Sequence, residues 1–341
     1  MCYNNIVILC ALRGAFKLKR IWFNHWFSTA YYFIKSLKED KNNYVIATNQ
    51  NPYCVYSLIA DEFYLEKELP ETDYVDWCLN FCGEHSIDVF FVRHNANAIL
   101  RNLVRFDTAG VKVIIDSNFN MHRTLGSKFD SYELIRDTGA CKTVATYRVT
   151  APEDFKKAYD ELKIRYGNNH PICVKVDVDE GGITYRKLAT YDDFAAYFRA
   201  LKSTFRPLVL MPYLEGPEIS IDCINLNGEL VAVPRIKASS RTTQISFDPA
   251  LLAIAERVNK VIDIRYPYNI QLRSLNGEFV FMEVNTRLSG GSYKDEAIGC
   301  SFPKLALAAA FNDAVDVKLL KSGFKDMTLY KLEGFVTKEE S

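Results

Sequence analysis

The first 120 or so residues alternate short apolar runs with amphipathic stretches. RIWFN (20–24) reads as a strand. The spacing of Ala30, Phe33, Ile34 and Leu37 predicts the apolar face of a helix with Ser28 as its N-cap. NYVIATN (43–49) is the next strand, followed by a helix over 74–85, a strand over 87–92, a helix over 97–110 closing on a glycine, and a strand over 111–116. Strand–helix alternation predicts a parallel, right-handed α/β unit. No G-x-G-x-x-G follows an early strand, which removes support for a nicotinamide site. Residues 1–19 precede this pattern as an extension or an extra edge strand.

The texture changes after residue 125. A helix over 127–139 ends on Gly139, a strand covers 143–149, and Pro152 opens a helix over 152–166. Strands over 171–178 and 183–188 flank the Gly181-Gly182 turn. A helix over 191–202 leads into the apolar strand of PLVLMPYLEG (207–216). Asn227-Gly228 and Asn276-Gly277 mark two hairpins, separated by a helix over 248–264. The expected architecture is an α/β domain over 20–125 and two α+β lobes over 126–206 and 207–341.

Composition adds limits rather than identity. The 341 residues are enough for two or three domains, and 42 basic against 42 acidic residues give no global charge for binding nucleic acid or an anionic membrane. Nine scattered cysteines in a chain of this size imply free thiols in a reducing compartment. Cys78 and Cys82 have helical spacing but no second ligand pair, so they read as helix cysteines rather than a zinc site. No apolar run reaches the ~18 residues of a membrane span. NNIVILCAL lacks a basic start and a clear cleavage site, and the expected location is cytoplasmic.

The chemistry concentrates in FVFMEVNTRLSGGS (279–292). Strand alternation places Glu283, Asn285 and Arg287 on one face. A three-residue loop at 276–278 would put Gln271 opposite Glu283, whereas a two-residue Asn-Gly turn would put it opposite Met282. In the first register Gln271, Glu283 and Asn285 offer three hard oxygens to Mg²⁺, and Arg287 offers its fork to a phosphate. A solvated polar strand face is the equally weighted alternative. Lys175, on a strand before Gly181-Gly182, can reach phosphates while backbone N–H groups close over them; an ordinary edge strand reads the same way. The strand before Leu214-Glu215-Gly216-Pro217-Glu218 offers backbone polar groups to an adenine edge and a carboxylate to a ribose diol, or is an ordinary turn. Arg235, Lys237 and Arg241 form either a solvated basic loop or a site for a γ-phosphate or substrate carboxylate. The five histidines are scattered and read as surface or loop residues. WFNHWFSTAYYF (22–33) is a candidate substrate contact at a strand–helix junction, with most of its aromatics expected in the core.

Taken in order, N-x-Q, E-V-N-x-R-x-S and P-x-x-A across 269–310, with the lysine and hinge segments before them, resemble the ATP-grasp superfamily, in particular its carbamoyl-phosphate-synthetase large-subunit-like branch. The resemblance covers roughly residues 20–315. It implies an N-terminal Rossmann-like domain followed by two lobes clasping ATP. It implies Gln271, Glu283 and Asn285 as ligands of Mg²⁺ or Mn²⁺, and Arg287 on the transferring phosphate. It also implies Lys128, Lys175, Gly181 and Gly182 around the nucleotide, Glu218 on the ribose, and Met211, Tyr213 and Leu214 at the adenine hinge. Pro212 stands where many members have an acid, and the glycine-rich loop is short. The implied activity is ATP-dependent ligation through an acyl phosphate, with Lys175, Arg241 and Arg287 assisting. Small carboxylate and amine substrates follow, with no nucleic acid or membrane partner and room for a homodimer. A silent nucleotide-binding scaffold or a kinase-like or carboxyphosphate-forming enzyme are the rival readings.

Overall fold

The computed structural model describes residues 18–178, 185–201, 205–332 and 336, and their strands form three sheets in chain order. Residues 1–17 of the expected N-terminal extension (1–19) and the Gly181-Gly182 turn lie outside the described residues, while Lys19 belongs to the first strand. The first sheet contains β1 (Lys19–Asn24), β2 (Asn43–Asn49), β3 (Glu62–Leu65), β4 (Val89–Phe91) and β5 (Lys112–Val113). Its order is β3-β2-β1-β4-β5 and every pairing is parallel. The strand order therefore switches direction between β1 and β4, which opens a crevice at their C-terminal ends. Strand β3 escaped sequence reading because it is short and half-exposed.

The helix Ala30–Leu37 buries the four apolar residues expected of it, but its N-cap is Thr29, one residue after Ser28. The expected helix over 97–110 breaks at Asn102 into Ala96–Arg101 and Leu103–Thr108. Asn102 donates through Nδ2 to the Ala98 carbonyl at 2.9 Å, a side-chain bond that competes with the helical ladder.

The second sheet contains β6 (Tyr147–Val149), β7 (Ile172–Val176), β8 (Arg186–Leu188) and β9 (Leu208–Pro212) in the antiparallel order β6-β9-β7-β8. Phe155, Tyr159 and Phe194, from the helices Pro152–Tyr166 and Tyr191–Leu201, pack against it. Strand β9 pairs here, although the expected boundary at 206/207 would give it to the following unit.

The third sheet contains β10 (Ile219–Leu226), β11 (Glu229–Lys237), β12 (Thr242–Ile245), β13 (Tyr268–Leu275), β14 (Glu278–Asn285) and β15 (Met327–Tyr330). Its order is β14-β13-β10-β11-β12-β15, antiparallel throughout. The helix Pro249–Ile262 covers one face through Leu251, Ala255, Val258 and Ile262. On the other, the helix Phe302–Phe311 joins Leu226 and Val233 to Ile21, Phe33 and Ile34 of the first unit in one continuous core. Burying one such aromatic or aliphatic side chain stabilises by about 1.5–3 kcal/mol. That shared core fixes the first sheet against the third. Among the described residues, no helix is long and apolar enough to cross a membrane.

Candidate functional site

Strands β13 and β14 meet through Asn276 (φ 52°) and Gly277 (φ 82°), a two-residue turn in which both central residues are left-handed. Leu275 pairs with Glu278, so the three-residue loop is not formed. Gln271 nevertheless faces Glu283, because the register shifts between Gln271 and Leu272. Leu272 opposes Phe281 and Gln271 opposes Glu283, leaving Met282 as the extra residue of a β-bulge. The bulge, not the turn, brings the amide and the carboxylate together.

Beyond it the polar groups are linked. Asn285 Nδ2 donates to Glu283 Oε1 at 3.2 Å, and Arg287 Nη2 donates to Asn285 Oδ1 at 3.3 Å. Arg287 also donates to the Leu288 carbonyl at 3.2 Å, and its guanidinium lies 4.8 Å from the centre of the Phe27 ring. Arg93 stacks on the same ring at 4.5 Å. Phe27 thus holds two cations at the mouth of the β1–β4 crevice. Of the other aromatics of that junction, Trp22, Phe23, Trp26 and Phe33 are core residues, Tyr31 is half-buried and Tyr32 is exposed.

The helix Lys128–Thr138 is fixed at its N-terminus by Ser127 and by Asp177 at the end of β7. Ser127 Oγ and the Phe129 amide both donate to Asp177 Oδ1, at 2.9 and 3.0 Å, and Arg148 pairs with the other oxygen at 2.7 Å. An anion at a helix N-terminus is the favourable arrangement. The buried Asp177 thus ties Lys128 to the strand that carries Lys175.

A cavity of about 870 Å³ opens between the three sheets. Lys128, Lys175, Glu218, Gln271, Glu283, Asn285 and Arg287 all line it. Glu218 stands 3.8 Å from Lys237 and 4.0 Å from Arg273. Gln271, Glu283 and Asn285 suit Mg²⁺ on their donor chemistry. They are hard oxygens on neighbouring positions, and the single Asn285 bond to Oε1 leaves acceptor capacity on the carboxylate.

Four expected site residues fall elsewhere. Arg241 is exposed in the turn between β11 and β12, with its carbonyl bonded to the Lys331 amide at 2.8 Å, outside the cavity lining. Met211 and Leu214 are buried in the core, and Tyr213 stacks under Lys187 at 4.2 Å. The hinge backbone is also engaged internally. The Tyr213 amide donates to the Pro171 carbonyl, its carbonyl binds His170, and the Leu214 carbonyl accepts from Arg273. These three backbone groups of the hinge are thus engaged within the chain.

Arg235 is no part of a solvated loop either. It is buried in β11 between Asp222 and Asp295, its Nη1 3.4 Å from Asp295, and it donates to Ser289 Oγ at 3.0 Å. Asn269, which lines the cavity, donates to Asp222 at 2.8 Å. Burial pushes the Asp295 carboxyl well above its usual range, against the pull of Arg235. A Cβ at Gly291 would stand 3.2 Å from that guanidinium, which explains the glycine after Ser289-Gly290.

His122 was also missed. It is buried, lines the cavity and hydrogen-bonds Thr286 between Asn285 and Arg287 at 3.0 Å. Desolvation holds its pKa below the ordinary imidazole value. Arg93 follows a strand at the switch point, a position that strand-end logic flags.

Residues 204–332 match a family described as ATP-grasp in the biosynthetic pathway with Ter operon. A carbamoyl phosphate synthase large chain from Thermoanaerobacter is 24% identical over 230 residues, 61% of this chain and 21% of that one. The chain thus spans about a fifth of the length of the curated relatives it matches. Among solved structures, the ADP complex of N5-carboxyaminoimidazole synthetase from Staphylococcus aureus aligns at TM-score 0.69 and 17% identity, covering 89% of this chain and 81% of that one. The biotin carboxylase domain of Hydrogenobacter thermophilus 2-oxoglutarate carboxylase, with MgADP and bicarbonate, aligns at 0.69 and 16%, covering 87% and 70%.

Proposed function

Since this chain is an ATP-grasp protein of the carbamoyl-phosphate-synthase-like type, we propose that it is an ATP-dependent ligase. It activates a small carboxylate as an acyl phosphate, which an amine or similar nucleophile then attacks. The observation that carries this reading is the linked Glu283–Asn285–Arg287 series, with Gln271 opposite, on a cavity that also receives Lys128 and Lys175. ADP-bearing carboxylase and synthetase neighbours support it.

In this reading residues 18–125 form an N-terminal α/β domain and the two later sheets form the clasp. Gln271, Glu283 and Asn285 hold Mg²⁺, or Mn²⁺ in its place. When bound, the metal supplies charge neutralisation for the phosphate oxygens in transfer. Lys128 and Lys175 hold the nucleotide phosphates from the second sheet's side. Arg287, oriented by Asn285 and by Phe27, meets the transferring phosphoryl group. Glu218 holds the ribose. Arg93, which stacks on the same Phe27 ring, binds the carboxylate to be activated. The reaction needs alignment and charge rather than a nucleophilic side chain, so the residues bind, orient and exclude water.

The test is ADP release from Mg·ATP against pools of small carboxylates and amines. ADP formation that requires both a carboxylate and an amine supports ligation. Release without an acceptor, or none with any pool, removes the ligase assignment.

A further inference from the structure

His25, Glu66 and His94 follow β1, β3 and β4, so they gather at the C-terminal end of the first sheet, where its strand order reverses. One ligand atom from each lies within 4.8 Å of the other two. Glu66 is 3% exposed, while both imidazoles are half-buried. The two histidine rings stack with centroids 5.1 Å apart. None of these residues belongs to the ATP-side constellation described above.

The hydrogen bonds around Glu66 have a fixed direction. Trp22 Nε1, a donor only, donates to Thr48 Oγ1 at 3.1 Å, and the Thr48 hydroxyl then donates to Glu66 Oε2 at 2.9 Å. Asn24 Nδ2, also a donor, gives to the Tyr74 hydroxyl at 2.8 Å, and Tyr74 gives to Glu66 Oε1 at 3.0 Å. Both carboxylate oxygens therefore accept. Among the described residues no lysine or arginine pairs with it. Desolvation raises the Glu66 carboxyl above its usual range, and a cation bound beside it would offset that cost.

The same network sets the histidines. Asn24 Nδ2 donates to the His94 carbonyl at 3.0 Å, and Asn24 Oδ1 accepts from the Arg93 amide at 2.7 Å. His25 has a left-handed backbone, φ 42°, stabilised by its amide bond to the Thr48 carbonyl at 2.8 Å. A histidine in that conformation is uncommon and is kept where the surroundings specify it.

We propose that His25, Glu66 and His94 form a binding site for a first-row divalent cation of the Zn²⁺ class, separate from the Mg²⁺ ligands Gln271, Glu283 and Asn285. Two imidazoles and one carboxylate with further positions open is a zinc-type donor set, whereas Mg²⁺ prefers oxygen alone. Tetrahedral bonds of about 2.1 Å place ligands about 3.4 Å apart. The present 4.8 Å limit therefore closes by small side-chain rotations on binding. Phe27, Val92, Arg93 and Ala96, chain neighbours of the two histidines, line the large cavity, so the cation lies beside it. The proposal does not depend on the ligase reading.

The experiment is equilibrium dialysis of the full chain against Zn²⁺ with Mg²⁺ in large excess, with metal measured by atomic emission. Co²⁺ loading followed by visible absorption reports the ligand type. We expect about one Zn²⁺ per chain and nitrogen–oxygen d–d bands without thiolate charge transfer. His94→Ala and His25→Asn, the latter compatible with a left-handed backbone, should each weaken binding at least tenfold with unchanged circular dichroism. Glu66→Gln keeps the shape of the acid and should do the same. No stoichiometric Zn²⁺, equal retention by the histidine variants, or thiolate bands from the cysteines would each overturn the site.

Discussion

Single side chains decide whether the cavity can act on a phosphate. Glu283 carries the formal negative charge of the proposed metal set, and Gln271 and Asn285 add only neutral oxygens. Glu283→Gln preserves size and the bond to Asn285 but removes that charge. ADP release is expected to fall about 100-fold or more with an unchanged melting profile; wild-type turnover in this variant would dismiss the metal assignment. Arg235 is the opposite kind of residue. It is buried between Asp222 and Asp295, and its removal leaves acids without a cation. Arg235→Met should cost about 3–5 kcal/mol in chemical denaturation. Asp295→Asn keeps the shape of the acid and removes a charge that burial already disfavours, and should stay within about 1 kcal/mol of wild type. If both variants proved equally harmless, the triad would not be an ion cluster at all. His122 gives the pH-dependent case. Its folded pKa lies below the unfolded value of 6.5. As pH falls through 6.5 the unfolded chain takes up a proton that the folded one refuses, so stability drops on acidification and is unaffected above neutrality. His122→Gln should flatten the loss that sets in below about pH 6.5, and an unaltered acid limb would show that His122 protonates freely.

At the level of elements, what was legible followed local rules. Both Asn-Gly hairpins and the Gly139 helix stop depend on residues adjacent in sequence, and the structure has them where those residues stand. Gln271 opposite Glu283 was one of two registers left open, and the loop that would have produced it does not form. Turn length and bulge each shift the register by one, and a sequence shows only the sum. The bulge at Met282 is therefore the element on which the site rests. Strands β12 and β15 were missed because each is a four-residue edge-side segment whose identity comes from its neighbour. Arg241 was drawn toward the site by its place in a basic stretch. Alternation along β11 and the turn after it send Arg235 inward and Arg241 to solvent.

The cavity exists only at the scale of the whole molecule, since no single sheet encloses it. Its placement comes from the core that unites the first sheet with Leu226, Val233 and Phe302 of the third, a set of contacts far apart in sequence. Lys175 and Glu283 reach the cavity from different sheets. A nucleotide that bridges them should stabilise the folded chain by mass action, about 2.7 kcal/mol when ligand is at 100 times its dissociation constant. Unfolding of so large a chain is not a two-state event, so the useful readout is the midpoint shift in a thermal scan. Mg·ATP should raise that midpoint more than Mg·GTP at equal concentration. Lys175→Ala and Glu283→Gln, on opposite walls, should each remove most of the rise while leaving the ligand-free midpoint near wild type. An equal rise with GTP would discard the nucleotide preference. Loss in one variant only would place the nucleotide on a single sheet rather than in a clasp between them.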